Sequence, residues 1–438
     1  MSEAHSTQGQ LRREVGLAGA IMMGLGSIVG TGVFVSIGIG AGIAGPAVVL
    51  AVIVAAFVAT ANGLSSAQLA ASHPVSGGAY EYGYRYLTPL LGFTAGWVFL
   101  LAKSASAATA ALGFSGYLLN LAGIRDDTVR IVVAVAAVAG LTAVILGGIR
   151  RSNRANTVIV SITLTVLALF VLFGLPAARA GTPGNFVPFL APASGETSLH
   201  ALLHATALMF VAYTGYGRIA TLGEEVHDPQ RTIPRAIVAT LVVTMLLYVS
   251  VAYVAVAAVG STTFTELTVA TAAPLEAIAE GFGVPGLGLA LAVGAIMAML
   301  GVLLNLILGL SRVLFAMGRR SDLPRVVAHV DARTATPSVA VIVIGVVIAL
   351  LALLGNVKTT WSFSAFTVLV YYAINNLAAL RLPPEQRRFP RWIAWAGLIA
   401  CAFLAFWVEP AIWLAGIAAI GAGWLLHFAM QRWYAGRA

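Results

Sequence analysis

Charge is the scarcest thing in this chain. Only 9% of its 438 residues are Asp, Glu, Lys or Arg, where an average soluble domain carries roughly 25%. There is one cysteine, Cys401, inside an apolar stretch, which excludes a disulfide framework and a cysteine-based metal site. No Gly-x4-Gly-Lys-Ser/Thr occurs, so there is no P-loop to couple the chain to a nucleoside triphosphate. A nucleophile with its base, or clustered His, Asp and Glu near the apolar runs, would be needed for catalysis, and the sequence offers neither. Repeated pore loops and rings of charge, the marks of a channel, are missing too, and no motif calls for a bound cofactor.

What the chain has in excess is apolar length. It is 60% hydrophobic with a mean hydropathy of +0.94. Apolar stretches long enough to cross a ~30 Å hydrocarbon core as helices recur from end to end. They are continuous rather than alternating, which excludes a β-barrel. The net charge of +9 does not indicate nucleic acid: the cations sit in joints between apolar runs and no aromatics are interleaved with them. Residues 1–14 are polar and no cleavage site follows, so no removed leader is expected.

Twelve spans are predicted at 16–43, 46–71, 90–122, 129–149, 155–176, 199–226, 235–260, 285–318, 337–355, 359–380, 392–408 and 411–430. With the N-terminus placed inside and the sides alternating, only Arg125, Arg130, Arg179 and Lys358 fall outside. Lys103 and Arg218 lie within spans, and the remaining 19 of the 25 cations are inside. That asymmetry puts both termini in the cytoplasm of a multi-pass plasma (inner) membrane protein.

Two spans carry glycine pairs near mid-depth. The first reads Gly24-Leu25-Gly26-Ser27-Ile28-Val29-Gly30-Thr31-Gly32-Val33-Phe34, and the sixth Phe210-Val211-Ala212-Tyr213-Thr214-Gly215-Tyr216-Gly217. Glycine is a poor helix former, so each pair invites an unwound segment. Gly26 and Gly30 also fit a small-xxx-small packing pattern, but the matched positions, five helices apart, favour two discontinuous helices in inverted repeats. Irregular backbone at that depth is tolerated where it lines a cavity. Half-helix N-termini there face an anion and C-termini offer carbonyls to a cation, which predicts a site for a small dipolar solute.

These residues resemble a known family. Gly30-Thr31-Gly32-Val33-Phe34 is similar to the first-span signature of the amino acid–polyamine–organocation (APC) superfamily of permeases. Pro74 to Tyr80, Phe210 to Tyr216, Glu224 to Pro234 and Ser311 to Met317 resemble that superfamily's first cytoplasmic loop, sixth-span break, following loop and eighth-span end. The resemblance implies an all-α membrane protein with a LeuT-like fold. It comprises a cytoplasmic segment 1–15, a first inverted repeat 16–176, a second 199–380, and two extra helices within 392–430. It implies a secondary active transporter of amino acids working by alternating access. The substrate carboxylate would rest on the N–H groups of Gly30, Thr31 and Gly32. Its ammonium would rest on the carbonyls of Ile28, Val211 and Thr214, with Tyr213 and Tyr216 capping the pocket. A carrier of inorganic ions or of other organic amines and carboxylates on the same fold is the alternative.

The chain departs from that pattern at the coupling site. Where many relatives carry a lysine in the fifth span, this one has Thr163. Thr163 and Ser161 offer oxygens to a sodium ion, but Ala298 to Val302 on the eighth span has no hydroxyl, so sodium is the weaker expectation beside proton coupling or exchange. Lys103 stands near mid-depth in the third span, where a cation costs about 2.5–3.5 kcal/mol on insertion scales. Either it replaces the missing lysine, pairing with first-helix carbonyls and titrating, or it contacts an anionic group of the substrate, or it faces a wet vestibule. Arg218 and Glu225 are candidates for an inner gate. His200 and His204 are spaced to bind a metal, but no third ligand is evident, and they read as a solvated pair. Asn305 reads as helix packing, and Phe363 and Phe366 as core aromatics. No acidic residue falls near the expected pocket, which favours neutral amino acids.

Overall fold

The computed structural model describes residues 15–74, 77–148, 153–190, 192, 196–220, 226–331, 334 and 336–436. Among these residues the structure is helical, apart from one isolated bridge between Val15 and Val226. The helices are α1 (Leu17–Ile28), α2 (Ile37–Ala44), α3 (Val48–Ser72), α4 (Ala79–Tyr86), α5 (Pro89–Leu121), α6 (Asp127–Leu146), α7 (Asn153–Asn185), α8 (Ser198–Tyr213) and α9 (Gly217–Ala220). Then come α10 (Pro229–Val259), α11 (Ser261–Thr271), α12 (Pro274–Glu280), α13 (Leu287–Arg319), α14 (Ser338–Ala352), α15 (Val357–Leu380), α16 (Arg391–Leu404) and α17 (Pro410–Ala435).

Local sequence sets the ends. Thr88, Asp126, Thr197 and Asn356 each accept a hydrogen bond from the backbone N–H three residues on, starting α5, α6, α8 and α15. Gly45 at φ 59 and Pro46 separate α2 from α3, a backbone conformation closed to most side chains. Eight helical stretches are long and apolar enough to cross a membrane, and 17–28, 338–352 and 391–407 are shorter apolar helices. In hydrocarbon such segments are helical because each backbone polar group must find its partner within the segment.

Burial orders the spans. In α5 and α15 the most apolar window is 78% buried, against 17% in α6 and α17. α5 packs against α15 and α13, α10 against α7 and α3, and α1 against α10 and α7. The Ala- and Ser-rich run of α5 from Ala102 to Ala111 lets its neighbours approach closely. Leu425, Val132 and Phe57 are among the large apolar side chains left exposed on the perimeter, which suits a surface facing lipid.

The contacts between loops fall into two groups, one at each end. At one end Arg130 bonds the Gly355 carbonyl and Lys358 pairs with Glu409. At the other, Arg320 pairs with Glu81, Arg388 bonds Gln230, the Arg325 N–H donates to Tyr434, and the His227 N–H reaches the Val15 carbonyl.

The structure also departs from the expected map. The joint 73–85 contains α4, and the 260–285 joint contains α11 and α12. α7 runs to Asn185 through Pro176 and Pro183, nine residues past the predicted 176. The sixth segment is described as helix only to Ala220, so Glu224 and Glu225, the latter a gate candidate, lie outside the described residues.

Candidate functional site at two helix breaks

The two glycine-paired segments meet. α1 ends at Ile28, Val29 is extended (φ −78, ψ 106), and a π-helical turn over Gly32–Ser36 leads into α2. The first N–H groups of that second half, including those of Thr31 and Gly32, have no carbonyl one turn back to bond. The sixth segment is interrupted more gently: α8 tightens into a 3-10 turn at Thr214–Tyr216 before α9. An added Cβ on Gly215 would strike the Ser27 carbonyl, and one on Gly32 would lie 2.7 Å from the Ala212 Cβ. Glycine is therefore required for the two interruptions to abut.

The carbonyls around the junction are partly engaged. Tyr248 donates its hydroxyl to the Ile28 carbonyl at 2.9 Å, the Thr214 hydroxyl donates to the Val211 carbonyl at 2.8 Å, and Tyr372 donates to the Thr214 carbonyl at 3.2 Å. The Val211 carbonyl also accepts the Thr214 backbone N–H, which fills both of its lone pairs. The Thr31 hydroxyl, 4% exposed, has no hydrogen-bond partner.

A cavity of 160 Å³ opens onto this junction. Ser27, Thr214, Gly215 and Gly217 line it from the breaks, Phe99 and Lys103 from α5, Asn305 from α13, and Tyr371 and Tyr372 from α15. It extends past Arg218, Arg312 and Gly78, toward the end of the molecule that holds α4. Among the described residues, its charged lining residues are Lys103, Arg218 and Arg312, and none is acidic.

Lys103 is buried, and its Nζ donates to the Thr214 hydroxyl at 2.7 Å. Its hydrogen bond thus runs to the sixth segment, whereas the expected partners were carbonyls of the first. A second, smaller cavity of 10 Å³ lies against the other face of the first break, lined by Gly26, Val29, Asn156, Thr163, Ala298 and Gly301 among others. Thr163 does fall beside the eighth-span stretch, but its hydroxyl is donated to the Ile159 carbonyl at 2.8 Å. Ser161 is exposed and faces away from this cavity. Lys103 and Thr163 are therefore in different cavities.

Several expected residues take other places. Tyr213 donates to the Val52 carbonyl on α3 at 3.2 Å, and the Tyr216 ring packs on Tyr372; like Ile28, Gly30, Thr31, Gly32 and Val211, neither lines the larger cavity, and of the expected substrate-binding residues Thr214 alone does. Phe366 packs on Phe406 and over Gly416. Asn305, expected to pack, lines the cavity with a buried Nδ2 that has no partner. Tyr371 and Tyr372 are not among the residues expected from the sequence; the Tyr-Tyr pair in α15 was the available signal.

The family model described as amino acid permease matches residues 19–432. The chain is 40% identical to an uncharacterized transporter of Mycobacterium tuberculosis over 414 residues, 94% of this chain and 90% of that protein. It is 29% identical to the branched-chain amino acid permease BcaP of Bacillus subtilis over 405 residues, 89% of this chain and 84% of the relative. It is 27% identical to the methylthioribose transporter of the same organism over 455 residues, 98% and 95% of the two chains.

Proposed function

The chain belongs to the amino acid permease family, a family of multi-pass membrane transporters and not of enzymes, and from that premise we propose that it carries neutral amino acids by alternating access, coupled to protons or by exchange. The observation that carries the substrate class is the cavity at the helix junction. Among the described residues it presents Lys103, Arg218 and Arg312 and no carboxylate, which favours a substrate without a cationic side chain. The substrate carboxylate is assigned to the N–H groups of Gly30, Thr31 and Gly32, which lie behind the described lining of this cavity, on the ground of the helix break and the unpartnered Thr31 hydroxyl. Its ammonium is assigned to the Ile28 and Thr214 carbonyls; the Val211 carbonyl, expected to share it, already accepts the Thr214 N–H and hydroxyl. The capping role passes from Tyr213 and Tyr216 to Tyr371 and Tyr372, which do line the cavity.

Lys103 is the coupling group in this reading. The Thr214 hydroxyl can accept from an ammonium or, by rotating, donate to a neutral amine, so it supports either protonation state. Sodium is the weaker partner. The cavity beside Thr163 holds 10 Å³, about the least that admits one water, and the Thr163 hydroxyl is already committed to Ile159. With both termini cytoplasmic, as the cation asymmetry requires, the larger cavity opens inward across twelve spans arranged as a 5+5 inverted repeat with two added helices.

The test is uptake of a labelled panel (neutral, acidic and basic amino acids, and methylthioribose) into proteoliposomes, with and without a pH gradient and with sodium varied. Concentrative uptake of neutral amino acids driven by the pH gradient, or counterflow without it, is expected. Absence of any amino acid uptake would overturn the reading.

A further inference from the structure

At the end of the molecule opposite the larger cavity's opening, three residues converge that the transport reading does not use. Glu196 precedes the capping residue of α8, and His200 and His204 follow at successive turns of that helix. His200 Nδ1 lies 2.6 Å and His204 Nδ1 3.9 Å from Glu196 Oε2, and one ligand atom from each of the three falls within 4.8 Å of the others. His204 is 2% exposed, and neither of its ring nitrogens completes a hydrogen bond. Nε2 has a carboxylate oxygen 3.4 Å away, whereas Nδ1 has the Glu196 oxygen at 3.9 Å, beyond hydrogen-bonding distance, and a buried ring nitrogen left so points to a missing partner.

We propose that Glu196, His200 and His204 form a binding site for a divalent transition metal ion of the zinc class, held on this outer face through Nδ1 of each histidine and a carboxylate oxygen. In a tetrahedral site with bonds of about 2.0–2.1 Å, ligand atoms stand about 3.3 Å apart. The 2.6 Å contact opens slightly and the 3.9 Å contact closes slightly to reach that spacing. Imidazole with a single carboxylate suits zinc and its neighbours, whereas calcium and magnesium take oxygen ligands. Three protein ligands leave a fourth position for water.

The surroundings complete the arrangement. His204 Nε2 points at Glu409 Oε2, 3.4 Å away, an oxygen that is buried and without a hydrogen bond. With Nδ1 on the metal, Nε2 keeps the proton and donates to Glu409, the carboxylate that orients a metal-bound histidine. Lys358 Nζ, 2.8 Å from Glu409 Oε1, balances that carboxylate and keeps it out of the coordination sphere. Trp407 stands edge-on to His200, ring centres 5.2 Å apart, and limits the ring's freedom. The sequence spacing showed the two histidines; the third ligand was hidden because Glu196 lies before the helix begins.

The test uses the full chain without a polyhistidine tag, purified in detergent and stripped with a chelator. Titration with Co2+ followed by visible absorption, and with Zn2+ by calorimetry, should give one equivalent bound, with Zn2+ displacing Co2+ and Mg2+ and Ca2+ failing to do so. His200→Ala and Glu196→Gln, both at partly exposed positions, should each weaken binding at least tenfold. Glu409→Gln should weaken it by about 10–100-fold, and His329→Ala should leave it unchanged. No stoichiometric binding, or less than a tenfold loss in both His200→Ala and Glu196→Gln, overturns the proposal. Because binding is read directly, the outcome does not depend on whether amino acids are transported.

Discussion

At the scale of single residues, the two that decide most are a lysine and a glycine. Lys103 was legible by its cost alone, because a cation near mid-depth of an apolar run needs a reason. Its partner was not legible, since nothing in a linear sequence brings Thr214 within 2.7 Å of it. If Lys103 carries the proton, Lys103→Ala abolishes accumulation driven by a pH gradient while counterflow exchange of the same substrate persists; full retention of pH-driven uptake in that variant sinks the assignment. Gly215 is a steric requirement. A methyl group there meets the Ser27 backbone rather than a mobile side-chain end, so the junction must shift. Gly215→Ala should reduce uptake to background and destabilise the protein by about 1–3 kcal/mol, the usual range for overpacking, read as a lowered unfolding temperature in detergent. An Ala variant with native uptake would mean that the breaks need not abut.

At the scale of elements, the long spans were readable and the short helices between them were not. A window of continuous apolar residues finds α5 or α13, but α4, α11 and α12 mix Tyr, Thr, Glu and Ala and carry no such run. The structure explains their form by what they touch. α4 is tied down by Asp322, a buried carboxylate that accepts hydroxyl bonds from Tyr80 and Tyr84 at 2.7 Å, while Arg320 stacks over the Tyr84 ring. Asp322→Ala leaves two tyrosine hydroxyls without their acceptor and should cost about 2–4 kcal/mol, with proteolysis next to 79–86 enhanced. α12 carries the second buried carboxylate. Glu276 is 2% exposed, and burial pushes its pKa up to about 7, with Glu280 adding to the rise against a hydrogen bond from Asn120. A carboxyl that holds its proton more tightly when folded contributes most at low pH, and that contribution is lost as pH rises from about 4.5 through about 7. The unfolding temperature of the native protein should therefore fall over that window relative to Glu276→Gln; parallel pH profiles for the two would show that Glu276 is not the group responsible.

At the scale of the whole molecule, the question is which end faces the cytoplasm, and it decides whether the larger cavity opens inward. The contacts sort the loops into two ends, one holding Asp127, Lys358 and Glu409, the other Glu81, Arg320 and Arg388. Sorting alone has no direction; the direction comes from the cations, which crowd the second end. The chain offers a clean way to test it, because its one cysteine, Cys401, is fully buried and contributes little labelling background. Single cysteines at Asp127, on the sparsely charged end, and at Glu385, in the basic joint before α16, both fall on exposed positions. In intact cells a membrane-impermeant maleimide should label Asp127→Cys at once and Glu385→Cys only after the membrane is opened. The reverse pattern would invert the molecule and place the cavity's mouth outside. It would also move the histidine pair of α8 to the cytoplasmic face, where it would meet the intracellular metal pool in place of the external one. Labelling of both from outside would break the alternation on which the twelve-span count depends, since Asp127 and Glu385 are separated by an odd number of predicted spans.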